Sequence, residues 1–141
     1  GEQMAEVSES LLAISMNSKS GGMRSKVILV DLHSQEVRES LDFPQSSINH
    51  LSFQQNRLFL GIEKQQSQAP DLQHPQHNLI NELVLYHLEG ESLTQLARNC
   101  YMDRVVTVTH LSQNLFVVGL TEQILVIHVS PASHHTRNVL Q

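Results

Sequence analysis

The stretch His50-Leu51-Ser52-Phe53-Gln54-Gln55-Asn56-Arg57-Leu58-Phe59-Leu60-Gly61-Ile62-Glu63 returns later in shortened form. Its second copy reads His110-Leu111-Ser112-Gln113-Asn114-Leu115-Phe116-Val117-Val118-Gly119-Leu120-Thr121-Glu122. An apolar run follows each copy: Glu82-Leu83-Val84-Leu85-Tyr86-His87-Leu88 after the first, Gln123-Ile124-Leu125-Val126-Ile127-His128-Val129 after the second. An earlier partial copy pairs Leu11-Leu12-Ala13-Ile14-Ser15-Met16-Asn17 with Lys26-Val27-Ile28-Leu29-Val30-Asp31-Leu32. Short runs of β-branched and aliphatic residues between polar turns read as strands. A β unit that recurs along a chain marks a repeat architecture, in which each unit buries its faces only by stacking on its neighbours.

Aligning the runs predicts a unit of four antiparallel strands. An extension covers 1–9 and a partial unit 10–43, which lacks a first strand and contains strands at 10–17, 26–32 and 36–43. A complete unit covers 44–100, with strands at 47–53, 57–63, 81–88 and 92–99 and a polar insertion at 64–78. The third covers 101–141, with strands at 104–111, 115–120 and 123–129, a weak fourth at 135–140 and a polar tail. Turns fall at Ser18–Gly22, His33-Ser34-Gln35, Gln54-Gln55-Asn56 and Glu89-Gly90, where glycine, serine and asparagine favour a reversing backbone. Pro44 stops its strand, because it has no amide proton for the ladder. The expected fold class is all-β: two to three consecutive four-stranded antiparallel propeller blades, a fragment of a larger β-propeller.

Propellers typically close with at least about four blades. Three should therefore leave apolar sheet faces open. Val27, Leu29, Leu83, Leu85, Leu125 and Ile127 are expected in or beside those faces, covered by a partner chain or by the remaining blades. A monomer that already buries these side chains would instead read as a closed barrel or sandwich.

The chain has 141 residues, the size of one ordinary domain. Apolar residues make up 40% and aromatics 4%, without tryptophan, so leucine, valine and isoleucine must build the core. A net charge of -5 with scattered Lys and Arg argues against direct nucleic-acid binding by this segment. The one cysteine excludes an internal disulfide. No apolar run is long enough for a membrane-crossing helix, and no membrane partner is expected. The start at Gly1 reads as a piece of a longer protein or a processed product.

Nine histidines invite a metal reading. Asp71, His74 and His77 lie in the polar insertion and read as a solvated loop, since a zinc site needs converging ligands with an ordered surround. His134 and His135 are adjacent, and adjacent strand residues point to opposite faces. Cys100 reads as a small half-buried side chain, since it lacks the neighbouring base a nucleophile requires. Gly21-Gly22 lacks the Lys-Ser/Thr of a phosphate loop. No catalytic residue, cofactor or metal is expected. His50 and His110 precede Leu-Ser in both copies and read as repeat-equivalent structural positions, as do Gly61 and Gly119. The glycines are read as sites where first and second strands crowd each other. His87 and His128 are a further equivalent pair.

The order of these strands resembles a particular group of propellers. Lys26–Leu32 leads through a turn into Glu36–Phe43, then into Ile48-Asn49-His50-Leu51-Ser52-Phe53 and Leu58-Phe59-Leu60-Gly61-Ile62. A polar insertion precedes Glu82–Leu88, and the next unit ends in Gln123–Val129. Over about residues 10–130 this resembles the divergent β-propellers shared by the large subunit of the damaged-DNA-binding complex, the 160-kilodalton subunit of the cleavage and polyadenylation specificity factor, and subunit 3 of splicing factor 3b. That family commonly has Gly-Arg before the strand at Glu82, where this chain has Asn81. The resemblance implies a non-enzymatic scaffold in a large nuclear assembly for RNA processing or DNA-damage and ubiquitin-ligase adaptor work, with protein partners. A cytoplasmic trafficking or tethering propeller is the alternative. A small β domain with a metal-dependent activity at the His-rich insertion is a third.

Overall fold

In the computed structural model, the described residues are 2–18, 22–65, 79–129 and the backbone of 136–140. They form twelve strands and no helix. Three four-stranded antiparallel sheets follow one another, each made from consecutive strands. The first contains β1 (Gln3–Glu6), β2 (Leu11–Ser18), β3 (Arg24–Asp31) and β4 (Glu36–Pro44). The second contains β5 (Ser46–Gln54), β6 (Arg57–Gln65), β7 (Leu79–Glu89) and β8 (Ser92–Tyr101). The third contains β9 (Val105–Ser112), β10 (Leu115–Leu120), β11 (Ile124–Val129) and β12 (Thr136–Leu140).

The all-β class and the four-stranded units agree with the sequence. The sheets stack as successive blades would, and the described residues form no closed ring. First strands lie together: β5 packs against β1, β2 and β3, and β9 packs against β5, β6 and β7. The sheets thus meet most closely along β1, β5 and β9.

The first unit is not partial. Gln3–Glu6 pairs with Leu12–Ser15 as a first strand, so 1–9 is more than an extension. Its sequence signal is weak because only Met4 and Ala5 are apolar, yet Ala5 packs on the core between the first two sheets. β6 continues through Lys64 and Gln65, and β7 begins at Leu79. The rest of the expected insertion lies outside the described residues, as do Asp71, His74, His77, His134 and His135.

Turn chemistry sets the registers. Gln54 pairs with Arg57, and the two residues between, Gln55 and Asn56, have φ of 50° and 64°. Positive φ at both centres is the hairpin geometry that matches strand twist. Glu89 pairs with Ser92, so Gly90-Glu91, one position beyond the expected Glu89-Gly90, makes the next reversal. Gly90 takes φ 63° there without a steric penalty. Asp31 accepts amide hydrogens from His33 and Ser34 at 2.9 and 3.3 Å and so organises the β3–β4 turn. Pro44 pairs with Arg24 as the last residue of β4, and Gln45 alone links the first sheet to the second.

Two apolar layers fill the spaces between sheets. Ala13, Val27 and Leu29 meet Leu58, Leu60, Ile62, Val84 and Tyr86. On the other side of the second sheet, Phe59, Leu83 and Leu85 meet Val105, Val108, Phe116, Val118, Leu125 and Ile127. The rings of Phe59 and Phe116 touch across that layer, 4.9 Å apart and tilted by 57°. Six consecutive residues of β6, Arg57–Ile62, are buried, because the second sheet is covered on both faces.

The six side chains expected on open faces are all inside these layers. The correction is one of parity. Alternate strand residues point to opposite faces, and Val27, Leu29, Leu125 and Ile127 take the inward set. The outer faces carry their neighbours: Leu12, Ile14, Ile28 and Val30 on the first sheet, Val117, Ile124 and Val126 on the third. No barrel or two-sheet sandwich results, because each sheet keeps its own four strands.

Candidate functional site

The polar groups that organise the molecule gather where the first strands meet. The Asn17 side chain behaves like a piece of strand backbone: its Oδ1 accepts from Ile48 N at 2.9 Å, and its Nδ2 donates to Ile48 O at 3.0 Å. Gln3 Nε2 donates to Asn49 O at 3.1 Å. Ser25 Oγ donates to Ser46 O at 2.9 Å. These four hydrogen bonds join the first sheet to β5. Asn49 is a bulge, since Ile48 pairs with Ile62 and His50 with Gly61. Its side-chain Oδ1 and Nδ2 are buried without a hydrogen-bond partner.

Gly61 sits opposite that bulge. A Cβ added there would lie 2.8 Å from Asn49 Oδ1, 2.9 Å from Val105 Cβ and 3.0 Å from His50 Cβ. Gly119 pairs with Thr107 beside the bulge at Val106, and its added Cβ would lie 2.8 Å from Thr107 Cγ2. Crowding between first and second strands surrounds both glycines.

Taking the glycines as the common reference separates the two histidines. His50 pairs with Gly61, whereas Thr107 pairs with Gly119 and His110 pairs with Phe116. His50 therefore corresponds to Thr107, and His110 to Phe53, which pairs with Leu58. The shared His-Leu-Ser is out of register, because the two copies reach their glycines through hairpins of different length. His50 Nε2 lies 2.9 Å from Ser52 Oγ; burial pushes its pKa down, and a backbone hydrogen bond at Val106 opposes this. His110 Nε2 lies 3.0 Å from Gln113 O at its own turn. His87 and His128 do correspond, four residues after the partners of Gly61 and Gly119.

Sequence reasoning passed over Arg57. It is 7% exposed and ties two hairpins together. Its Nη1 donates to Gln55 O at 2.9 Å and its Nη2 to Asn114 Oδ1 at 2.8 Å, while its guanidinium carbon lies 5.9 Å from the Phe116 ring centre. Desolvation pushes its pKa down. The recurrent Gln-Asn turns, Gln55-Asn56 and Gln113-Asn114, were the available signal.

Buried Glu82 lies on β7, with its Oε1 3.6 Å from Arg98 Nε. Cys100 Sγ donates to Glu82 Oε2 at 3.8 Å. Cys100 is exposed rather than half-buried; partial desolvation of its thiol and the neighbouring Glu82 carboxylate push its pKa up. Among the described residues no three His, Cys, Asp or Glu side chains converge on a possible metal position.

Among the described residues, the two outer faces are further surfaces suited to function. On the first sheet, Met4, Ile14 and Ile28 form one cross-strand row, and Leu12, Val30 and Val37 another. Met4 and Val37 are 65% and 55% exposed. On the third sheet, Val117 pairs with Val126, and Gly119 with Ile124, which is 56% exposed. Apolar rows across several strands are surfaces for association rather than for bond making. No family model and no curated protein sequence matches this chain.

Proposed function

We propose that the chain supplies blades to a non-enzymatic β-propeller scaffold that holds protein partners in a large nuclear assembly, of the RNA-processing or the DNA-damage and ubiquitin-ligase adaptor type. The observation that supports the scaffold reading is a stack of three sheets with an apolar outer face at each end. Each outer face continues the alternation that the inner faces use to pack. The nuclear setting draws on the sequence resemblance across about residues 10–130.

Fractionation of the cells that express the protein, followed by native sizing and cross-linking mass spectrometry, tests the reading. Nuclear recovery in a high-mass complex is expected, with cross-links from Lys26 and neighbouring residues of the first sheet. Recovery as a free cytoplasmic chain overturns it.

A further inference from the structure

We infer that the rim between the second and third sheets is a binding seat for a peptide amide, with Asn49, Asn81 and Tyr101 supplying its hydrogen bonds. The seat does not rest on the scaffold reading, because two junctions within this chain define it.

The two junctions can be compared residue by residue. The fourth strand of the first sheet bulges at Arg38, between the partners of Leu29 and Val30. The fourth strand of the second bulges at Leu96, between the partners of Leu85 and Tyr86. Counting back equally from Leu29 and Leu85 matches Ser25 with Asn81. The row Asn17–Ser25–Phe43, which faces the second sheet, therefore corresponds to Glu63–Asn81–Tyr101, which faces the third.

In the first junction this row is satisfied. Asn17 takes both backbone groups of Ile48 at 2.9 and 3.0 Å, and Ser25 Oγ donates to Ser46 O at 2.9 Å. Phe43 has no side-chain polar atom. In the second junction the same places carry more hydrogen-bonding capacity and use less of it. Asn81 Nδ2 reaches Met102 O at 3.3 Å, while Asn81 Oδ1 and the Tyr101 hydroxyl are buried without a partner. Asn49 lies one row further in, with its Oδ1 2.8 Å from a Cβ added at Gly61, and both its amide atoms are also unpartnered. Four of the five buried side-chain atoms that lack a partner among the described residues thus gather at this rim. Each costs stability. Ser25 and Phe43 show that the fold can be built without such a cost at the equivalent positions.

The chemistry of these atoms selects the ligand. Asn49 Oδ1 and Asn81 Oδ1 accept, Asn49 Nδ2 donates, and the phenol does either. An ammonium or guanidinium group only donates and a carboxylate only accepts, so each would leave part of the seat unserved. An amide does both. The first junction already makes such a match, since Asn17 holds the N–H and C=O of a strand at the corresponding rim. Access is through the connection 102–104. The Glu63–Arg104 pair at 3.7 Å and the Asn81–Met102 contact at 3.3 Å hold it down. Both are longer than any of the bonds that close the first junction. Arg104 is 57% exposed, and exposed pairs of this kind hold weakly.

The test uses an uncharged dipeptide amide, acetyl-glutaminyl-glutamine amide, titrated into the labelled 141-residue chain. The side-chain amide NMR signals of Asn49 and Asn81 should shift to saturation. Methylammonium and acetate at equal concentration should leave them in place. Joining Asn81→Ser with Tyr101→Phe installs the residues of the first junction. The double variant should stay folded by circular dichroism and lose at least about tenfold in dipeptide affinity, as expected when more than one hydrogen bond goes. Tyr101→Phe alone removes one oxygen and should weaken binding in the same direction, which keeps the test available if the pair disturbs the fold. Dipeptide binding that survives these substitutions overturns the inference. So do equal shifts with acetate or methylammonium, or amide signals that meet only long-lived water and respond to no probe.

Discussion

At the scale of single residues, the glycines show how legible function-free constraints are. Their recurrence at the end of a second strand and the crowding by the first strand were readable in the sequence, but the bulge at Asn49 and the approach of Val105 were not. Gly61 touches a bulge in its own sheet and a valine from the next, and bulges leave no residue-type signature. Gly61→Ala should destabilise by about 1–3 kcal/mol, since neither the bulge nor Val105 can withdraw without disturbing a packed layer. Gly119→Ala should cost less, because only the Thr107 methyl lies below 3 Å; adding Thr107→Ser should recover the loss. Urea denaturation of the three variants checks the order. Tyr101 offers a second test. Its hydroxyl is buried without a hydrogen-bond partner, and its pKa is pushed up to about 12, chiefly by burial. A phenol raised in the folded state favours folding below its ordinary 10.0, and that contribution fades as pH climbs from there to about 12. Tyr101→Phe should remove that alkaline loss and leave stability at neutral pH unchanged or higher by up to about 1 kcal/mol. A mutant less stable at pH 7 would point to an ordered water on the hydroxyl.

At the scale of elements, strand existence was legible and strand facing was not. Runs such as Lys26–Leu32 and Gln123–Val129 announce themselves by aliphatic content. Their inward residues do not, because Ile28 and Val30 are as apolar as Val27 and Leu29. Repeats made the problem worse where hairpins differ: Leu111 is an extra residue before the β9–β10 turn, so His-Leu-Ser falls at different registers in the two copies. β1 was missed because its apolar content is two residues out of four. Its importance is testable. It covers the edge of β2 and packs on β5. Deleting residues 1–6 should strip that edge, lower the midpoint of thermal unfolding and promote aggregation through the exposed β2 ladder. Unchanged unfolding would mean that β1 is dispensable to the stack.

For the whole molecule, the stack is asymmetric in protection. The second sheet is enclosed on both faces, whereas the first and third are enclosed on one. Amides of β6 and β7 should therefore exchange slowest with deuterium, approaching the rate of global unfolding, and those of β4 should exchange much faster. If β3 and β10 match β6 in solution, both outer faces are covered there. The candidate surfaces were less legible than the fold. The sequence implied that faces would be open, but the pairing register was needed to say which side chains lie on them.

Every sheet is finished before the next begins, and Gln45 alone separates the first from the second. Synthesis on the ribosome therefore delivers this protein in complete parcels. No strand waits for a distant partner made later, so loops closed during folding stay short. The vulnerable moment falls in the middle of translation. When Tyr101 has emerged, the second sheet has its predecessor behind it and Phe59, Leu83 and Leu85 bare in front. A pause there would present that apolar face to the cell, and a nascent chain stalled after Tyr101 should be the form that chaperones hold most tightly.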